Sequence, residues 1–167
     1  DYATINISSP NTKNLRQLQN QNSLKKLLQK VDNTKKNLTN IPPIFLKISP
    51  ELTSNEIKEI SALALEFDVN GIIATNTTLD RKTLLSKNQG QDGGLSGKPL
   101  FLKSNKILAQ FSEELDGKIP LIGVGGASSA LEVYSKIKAG ASAVQLYSAL
   151  IFNGFSLVEK IIKELDI

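Results

Sequence analysis

Early in the chain the run Asn6-Ile7-Ser8-Ser9-Pro10-Asn11-Thr12 overlaps the apolar stretch Thr4-Ile5-Asn6-Ile7. Side-chain amides and hydroxyls grouped at the mouth of a strand can hold a polar ring by paired hydrogen bonds. An apolar strand ending in such a group is how a barrel enzyme exposes chemistry at its rim. A second group, Thr75-Asn76-Thr77-Thr78, follows Gly71-Ile72-Ile73-Ala74; taken alone it reads as an ordinary turn rich in Thr and Asn. Lys47 stands inside Ile44-Phe45-Leu46-Lys47-Ile48-Ser49. A Lys there is costly to bury without an anionic partner, and alternation puts it on the face of Phe45 and Ser49. It is either an edge-strand Lys that reaches solvent or a cation aimed into a barrel mouth.

Two glycine-rich sets point to anions. Gly123-Val124-Gly125-Gly126 and Gln145-Leu146-Tyr147-Ser148 close the last two apolar runs. Glycines let backbone N–H groups approach an anion closely, and in β/α barrels a phosphate site is often built from the loops after the last two strands. Each alone is a tight strand–helix turn; the pair together favours phosphate. Gly93-Gly94-Leu95-Ser96-Gly97-Lys98-Pro99-Leu100 follows a polar excursion over residues 87–92. It is either a flexible connector or a shaped loop that approaches a ligand.

Composition narrows the chemistry. The 167 residues suffice for one domain with a core, and 40% apolar content fits a globular protein. There is no Cys and no His. Disulfides, thiolate chemistry, Ser-His-Asp triads and ordinary zinc sites are thereby removed, and no metal is expected. No run is apolar enough to span a bilayer. The net charge of +4 is spread over Lys-rich helices with no interleaved aromatics, which reads as a solvated face, not a nucleic-acid surface; a positive balance also suits an anionic ligand.

These groups need strands to carry them. Five apolar runs, residues 4–8, 44–49, 71–75, 121–124 and 143–147, are rich in Val, Ile, Leu and Ala, the pattern of parallel strands covered on both faces. Between them lie helical patterns: Leu24, Leu27, Leu28 and Val31 at i, i+3, i+4 and i+7, and capping boxes at Thr53-Ser54-Asn55-Glu56 and Ser129-Ala130-Leu131-Glu132. Gly140 suits a helix end, and Ser156 opens a last helix. The order is α/β, and two architectures compete: an open doubly wound sheet or part of a (β/α)8 TIM barrel. Polar groups end all five strands, and no G-x-G-x-x-G follows the first, which favours the barrel. Five units do not close an eight-stranded barrel. The chain has no Met, so it reads as the C-terminal part of a larger enzyme, strands 4–8, with strands 1–3 expected upstream.

In this order the motifs resemble class 2 dihydroorotate dehydrogenases. The resemblance runs over residues 1–167. It rests on Ile5 to Thr12, Leu46-Lys47-Ile48-Ser49-Pro50, Ala74 to Thr78, Gly93 to Leu100, Ile122 to Gly126 and Ala139 to Ser148. It implies an FMN-containing β/α barrel of which this chain is the C-terminal part. Ser9 resembles the catalytic base, a Cys in class 1 enzymes. Asn11, Asn76 and Thr77 resemble groups that hold orotate, and Asn6 an amide shared by substrate and flavin. Lys47, Thr75, Gly97, Gly126, Tyr147 and Ser148 resemble the FMN contacts. The implied reaction is oxidation of dihydroorotate to orotate: Ser9 takes a proton from carbon 5 while hydride leaves carbon 6 for the flavin, and a quinone receives the electrons. Implied too are the N-terminal half of the barrel as partner, a peripheral membrane contact through that half, and the cytoplasmic face of the bacterial inner membrane as location. Two other readings stay open: another FMN- or phosphate-binding barrel oxidoreductase, and a non-catalytic half-barrel fragment.

Overall fold

The computed structural model describes residues 1–82 and 84–165. Five strands, β1 (Ala3–Asn6), β2 (Ile44–Ile48), β3 (Gly71–Ala74), β4 (Leu121–Val124) and β5 (Ala143–Gln145), form one sheet. Each pairs in parallel with the next, and their order in space is their order in the chain. A doubly wound sheet reverses its strand order at a switch point; this one does not. Helices α1 (Gln21–Lys35), α2 (Ser54–Glu66), α3 (Phe101–Leu115), α4 (Ala130–Lys138), α5 (Ser148–Asn153) and α6 (Ser156–Leu165) fill the connections and follow the last strand.

Four strands end one or two residues before their expected limits, at Asn6, Ile48, Ala74 and Gln145. Side chains and turns take over from the ladder there. Ser8 Oγ donates to the Lys47 carbonyl at 2.6 Å. The Ser49 N–H donates to Gln19 Oε1 at 2.9 Å. The Tyr147 carbonyl accepts from the Leu150 N–H at 3.0 Å, in the first turn of α5. The box opening α2 is complete: Thr53 Oγ1 accepts from the Glu56 N–H, and Glu56 Oε2 accepts from the Thr53 N–H at 2.8 Å. At α4 the box is shifted. Ser129 caps Glu132, but the Glu132 carboxylate reaches the Ser128 N–H at 2.7 Å, because two adjacent serines offer it donors. Gly140, at φ +103°, follows α4 as expected.

The two faces of the sheet differ. Leu46, Ile48, Ile72, Ala74 and Leu121 join α1, α2 and α3 in the main core through Leu24, Leu28, Ile57, Ile60, Leu108 and Phe111. The other face carries Thr4, Asn6, Phe45, Lys47, Ile73, Ile122 and Gln145, aligned by the register. Burial on both faces was expected for most of the strands. It holds for β3 and fails for β1 and β2, where Thr4 and Asn6 are exposed and Phe45 and Lys47 only half-buried.

Tyr2 reveals the curvature. Its ring stacks on Phe45 with centroids 4.6 Å apart, and its hydroxyl accepts a hydrogen bond from Gln145 at 2.8 Å. Strands spaced by about 4.8 Å would put β1 and β5 of a flat sheet roughly 19 Å apart. A contact between Tyr2 and Gln145 therefore requires a sheet curled towards its helix-free face, as in a barrel wall.

Among the described residues, β1 and β5 each have one paired neighbour. Near the β5 edge, Leu131, Ile151, Phe152 and Phe155 are 79, 71, 86 and 84% exposed. Unpaired edges and contiguous apolar surface promote association. The chain alone is expected to form oligomers or aggregates at micromolar concentration. Light scattering coupled to gel filtration checks this, and a monodisperse monomer would contradict it.

Candidate active site at the carboxyl ends of the strands

All the residues singled out for chemistry lie at one end of the sheet, because parallel strands deliver their C-terminal loops to the same side. A cavity of about 490 Å³ opens there. Lys47, Thr75, Asn76, Thr77, Gly97, Gly126, Tyr147 and Ser148 all line it. Asn6 reaches it through Asn76, whereas Ser9 and Asn11 are not among the residues that line it. Asn6 Oδ1 accepts from Asn76 Nδ2 at 3.1 Å and from Ser8 Oγ at 3.1 Å. Ser9 Oγ accepts from the Asn11 N–H at 3.3 Å.

Hydrogen-bond inventory separates braces from free groups. Asn76 Nδ2 donates to Asn6 Oδ1 and Ser8 Oγ, and its Oδ1 accepts from the Thr77 N–H at 2.8 Å. Both ends of that amide are thus engaged in joining the loops after β1 and β3. Asn6 Nδ2 and the Ser9 O–H have no partner among the described residues and remain as donors. Lys47 sits on interior β2, not on an edge, and its ammonium has no acceptor among the described residues. Burial pushes its pKa down, as for a cation placed where an anion would complete it.

The glycine loop is shaped by contact. A Cβ on Gly94 would lie 1.8 Å from Thr77 Oγ1, so only glycine lets this loop cross the β3 turn. The loop is fixed by an antiparallel bridge between Thr78 and Leu95 and by Arg81, which donates to the Gly93 carbonyl. Ser96 Oγ meets Ser148 Oγ at 2.7 Å. The N–H groups of Gly125, Gly126 and Tyr147 have no partner among the described residues, which leaves donors for an anion at this end of the cavity. The Tyr147 side chain is itself 76% exposed.

Four charged groups that sequence reasoning passed over hold these parts. Arg16 Nε donates to the Ser8 carbonyl at 3.2 Å, and its other nitrogens reach the Thr77 carbonyl at 3.1 Å and Glu51 at 2.8 Å. Glu51 also accepts from Ser49 Oγ at 2.8 Å and from Thr78 Oγ1. Lys103 bridges Glu51 at 3.5 Å and Asp80 at 3.3 Å. A signal was available: only two of the twenty basic residues are Arg, and both bind loop carbonyls, a task suited to a planar fork of donors. The fourth is Lys136, with no exposed surface. It falls three residues after Val133 on the buried stripe of α4, where a Lys is out of place.

With that geometry in view, a family model described as Dihydroorotate dehydrogenase matches residues 1–167. The chain belongs to the dihydroorotate dehydrogenase family. It is 49% identical over 166 residues to a protein of Cereibacter sphaeroides named dihydroorotate dehydrogenase (quinone), covering 99% of this chain and 47% of that one. A protein of the same name from Polynucleobacter asymbioticus is 44% identical, with 98% and 49% covered. A crystal structure of DHODH from Eimeria tenella in complex with ferulenol superposes with a TM-score of 0.93 at 34% identity, covering 98% of this chain and 49% of that one. The ligand-free form from the same organism gives 0.93 at 35%. The chain spans about half the length of the curated relatives it matches. The fold is thus the α/β one of the family, and the five strands correspond to part of the barrel.

Burial lowers the pKa of Lys136 to about 8, against a smaller opposing pull from Glu132. In the unfolded chain the value is near 10.4. Below about pH 8 both states carry the proton, and the cost of the buried charge is present in full. Between about 8 and 10.4 the unfolded state binds more protons, so stability rises with pH, by on the order of 3 kcal/mol across the window. Chemical denaturation from pH 7 to 10.5 should show this gain in the parent chain relative to Lys136→Met. Parallel pH profiles would contradict it.

Proposed function

We propose that this chain is the cofactor- and substrate-holding half of a dihydroorotate dehydrogenase that oxidises dihydroorotate to orotate, with a quinone as electron acceptor, in pyrimidine biosynthesis. The observation that carries the reading is convergence: Lys47, Thr75, Gly97, Gly126, Tyr147 and Ser148, drawn from four strand ends and the glycine loop, line one cavity of about 490 Å³, a volume within the range of cofactor sites.

The donor set fits FMN. The unpartnered N–H groups of Gly125, Gly126 and Tyr147 suit its phosphate. The half-buried ammonium of Lys47 suits an electron-rich ring. Thr75 and Gly97 would hold that ring, and Ser148 would hold the phosphate. When bound, FMN supplies the acceptor for the hydride that leaves carbon 6 of the substrate. Asn6 Nδ2, Asn11 and Thr77 hold the substrate ring, with Asn76 as a contact and as the brace between loops. Ser9 Oγ takes the proton from carbon 5. A serine hydroxyl is a poor base at neutral pH, and Lys47 gives it an electropositive setting.

The remaining partner is an N-terminal half like the part of the relatives outside the matched region, which closes the barrel and carries the quinone entrance. Among the described residues no helix is long and apolar enough to cross a membrane. Peripheral contact at the cytoplasmic face of the bacterial inner membrane belongs, in this reading, to that N-terminal half. Co-expression with the corresponding half of the Cereibacter sphaeroides relative, followed by an assay with dihydroorotate and a quinone analogue, tests the whole. Turnover is expected from the pair and not from the chain alone.

Two variants of the reconstituted pair test the roles. Lys47→Ala is expected to weaken FMN retention by about ten-fold or more, as for loss of a charged hydrogen bond, and to slow flavin reduction. Unchanged flavin content and reduction rate would remove Lys47 from the site. Ser9→Ala should still bind FMN and orotate but lose roughly a hundred-fold or more in flavin reduction, the scale of a general base. Ser9→Cys should retain more activity than Ser9→Ala, because a thiol ionises more readily. Stopped-flow reduction by dihydroorotate reads both, and full activity in Ser9→Ala would overturn the assignment.

A further inference from the structure

Lys136 is buried without a carboxylate at ion-pair distance among the described residues. Its stem passes Gly123, where a Cβ would lie 3.1 Å from Lys136 Cδ. Its ammonium donates to Ser104 Oγ at 2.9 Å and to Asn105 Oδ1 at 2.8 Å, and stands 5.4 Å from the centre of the Phe101 ring. Ser104 Oγ in turn lies 2.9 Å from the Gly125 carbonyl and 3.0 Å from that of Phe101.

The order of donors fixes a direction. An ammonium can only donate, so it occupies a lone pair of Ser104 Oγ and leaves the hydroxyl proton for a carbonyl. Bonded to Ser104, the Gly125 carbonyl points away from the cavity. In a trans peptide the N–H of the next residue points the opposite way. That N–H belongs to Gly126, which lines the cavity and has no partner among the described residues. Gly126 itself rests against the backbone of Phe101, where a Cβ would sit 2.7 Å from its nitrogen.

We propose that Lys136 is a positioning residue which, through Ser104, locks the 125–126 peptide with its N–H facing the cavity and so gives the site its preference for a phosphorylated flavin. The proposal rests on the FMN reading of the cavity. It assigns the glycines a role beyond leaving space: Gly123 admits the Lys136 stem, and Gly125 offers the carbonyl by which the loop is held.

The test titrates the chain reconstituted with the N-terminal half, as parent, Lys136→Met and Ser104→Ala, with FMN and with riboflavin, which lacks the phosphate. Backbone amide order parameters are measured by NMR on the same unliganded proteins. Both variants are expected to lose about ten-fold or more in FMN affinity, the scale of a hydrogen bond to a charged group, with riboflavin affinity unchanged. The order parameters of the 125 and 126 amides should fall into the flexible range, below about 0.6, while those of β2 and β3 stay near about 0.85. Equal weakening of both ligands, or unchanged FMN affinity, overturns the proposal. If the reconstituted parent binds neither flavin, the reading of the cavity fails, and the order parameters alone decide on the lock: unchanged values at 125 and 126 in both variants overturn it. If Lys136→Met does not fold, Ser104→Ala, which leaves the ammonium bonded to Asn105, carries the test.

Discussion

The Glu51 carboxylate draws together four elements that share no hydrogen-bond ladder. Arg16, Ser49, Thr78 and Lys103 all donate to it, and through Arg16 it also fixes the Ser8 and Thr77 carbonyls. Its side chain is 31% exposed, so any single ion pair here is worth at most about 1 kcal/mol. The sum matters less than the geometry. Beyond Asn6, Ile48 and Ala74 only single backbone bonds continue, such as Ile7 N–H to the Lys47 carbonyl at 3.4 Å and Asn76 N–H to the Ile48 carbonyl at 2.7 Å, and side-chain contacts set the other distances among the loops bearing Ser9, Asn76 and Thr77. A planar guanidinium that meets two carbonyls and a carboxylate at once sets them in a way that a Lys could not.

The two ends of the cavity are held by different physics. At the end lined by Asn76 and Thr77 the loops are drawn in by a partly hydrated network of opposite charges. At the end lined by Gly126 the support is more deeply buried: Lys136, Ser104 and the half-buried Asn105 form a chain of donors and acceptors behind the glycine turn, with no carboxylate at ion-pair distance from the cation among the described residues. An uncompensated buried charge is expensive, and the depressed pKa of Lys136 expresses that cost. Such an arrangement has a rationale if an anion arrives in front of the turn, because the low dielectric that makes the cation costly also strengthens its attraction to a nearby negative group.

Much of this was legible in the sequence. The strands could be read because parallel strands buried between layers are near-continuous runs of branched residues, and α2 because both halves of its capping box are local. The strand ends were overextended, since Ser8 and Ser49 leave the ladder only through partners, Lys47 and Gln19, that lie far along the chain. The same limit hid the Glu51 network. No spacing rule joins Arg16 to Glu51 or Thr77; only the parallel order of the strands brings them together. Lys136 was hidden for another reason. In a helix with Lys at 136 and 138 a charge reads as a solvated face, and only the three-residue interval from Val133 betrays the inward one.

Uneven support along the sheet bears on how the half-barrel relates to a closed one. The main core joins β1 to β4 with α1, α2 and α3, whereas α4, α5 and α6 form a smaller cluster around Ala130, Val133, Leu157 and Ile161; Val144 of β5 packs against both. β5 has three residues, none fully buried, and one neighbour among the described residues. Tyr147 and Ser148 stand at the β5 end of the cavity beside this smaller cluster, while Lys47, Thr75 and Asn76 stand beside the larger one. A strand added beside β5 would bury that edge and its apolar surroundings first. The energetic effect of closure would therefore fall mainly on the end of the cavity at Tyr147 and Ser148, and the end at Lys47 would change least. The contact between Tyr2 and Gln145, which already pulls β5 towards β1 across the open face, is the chain's own partial substitute for that closure.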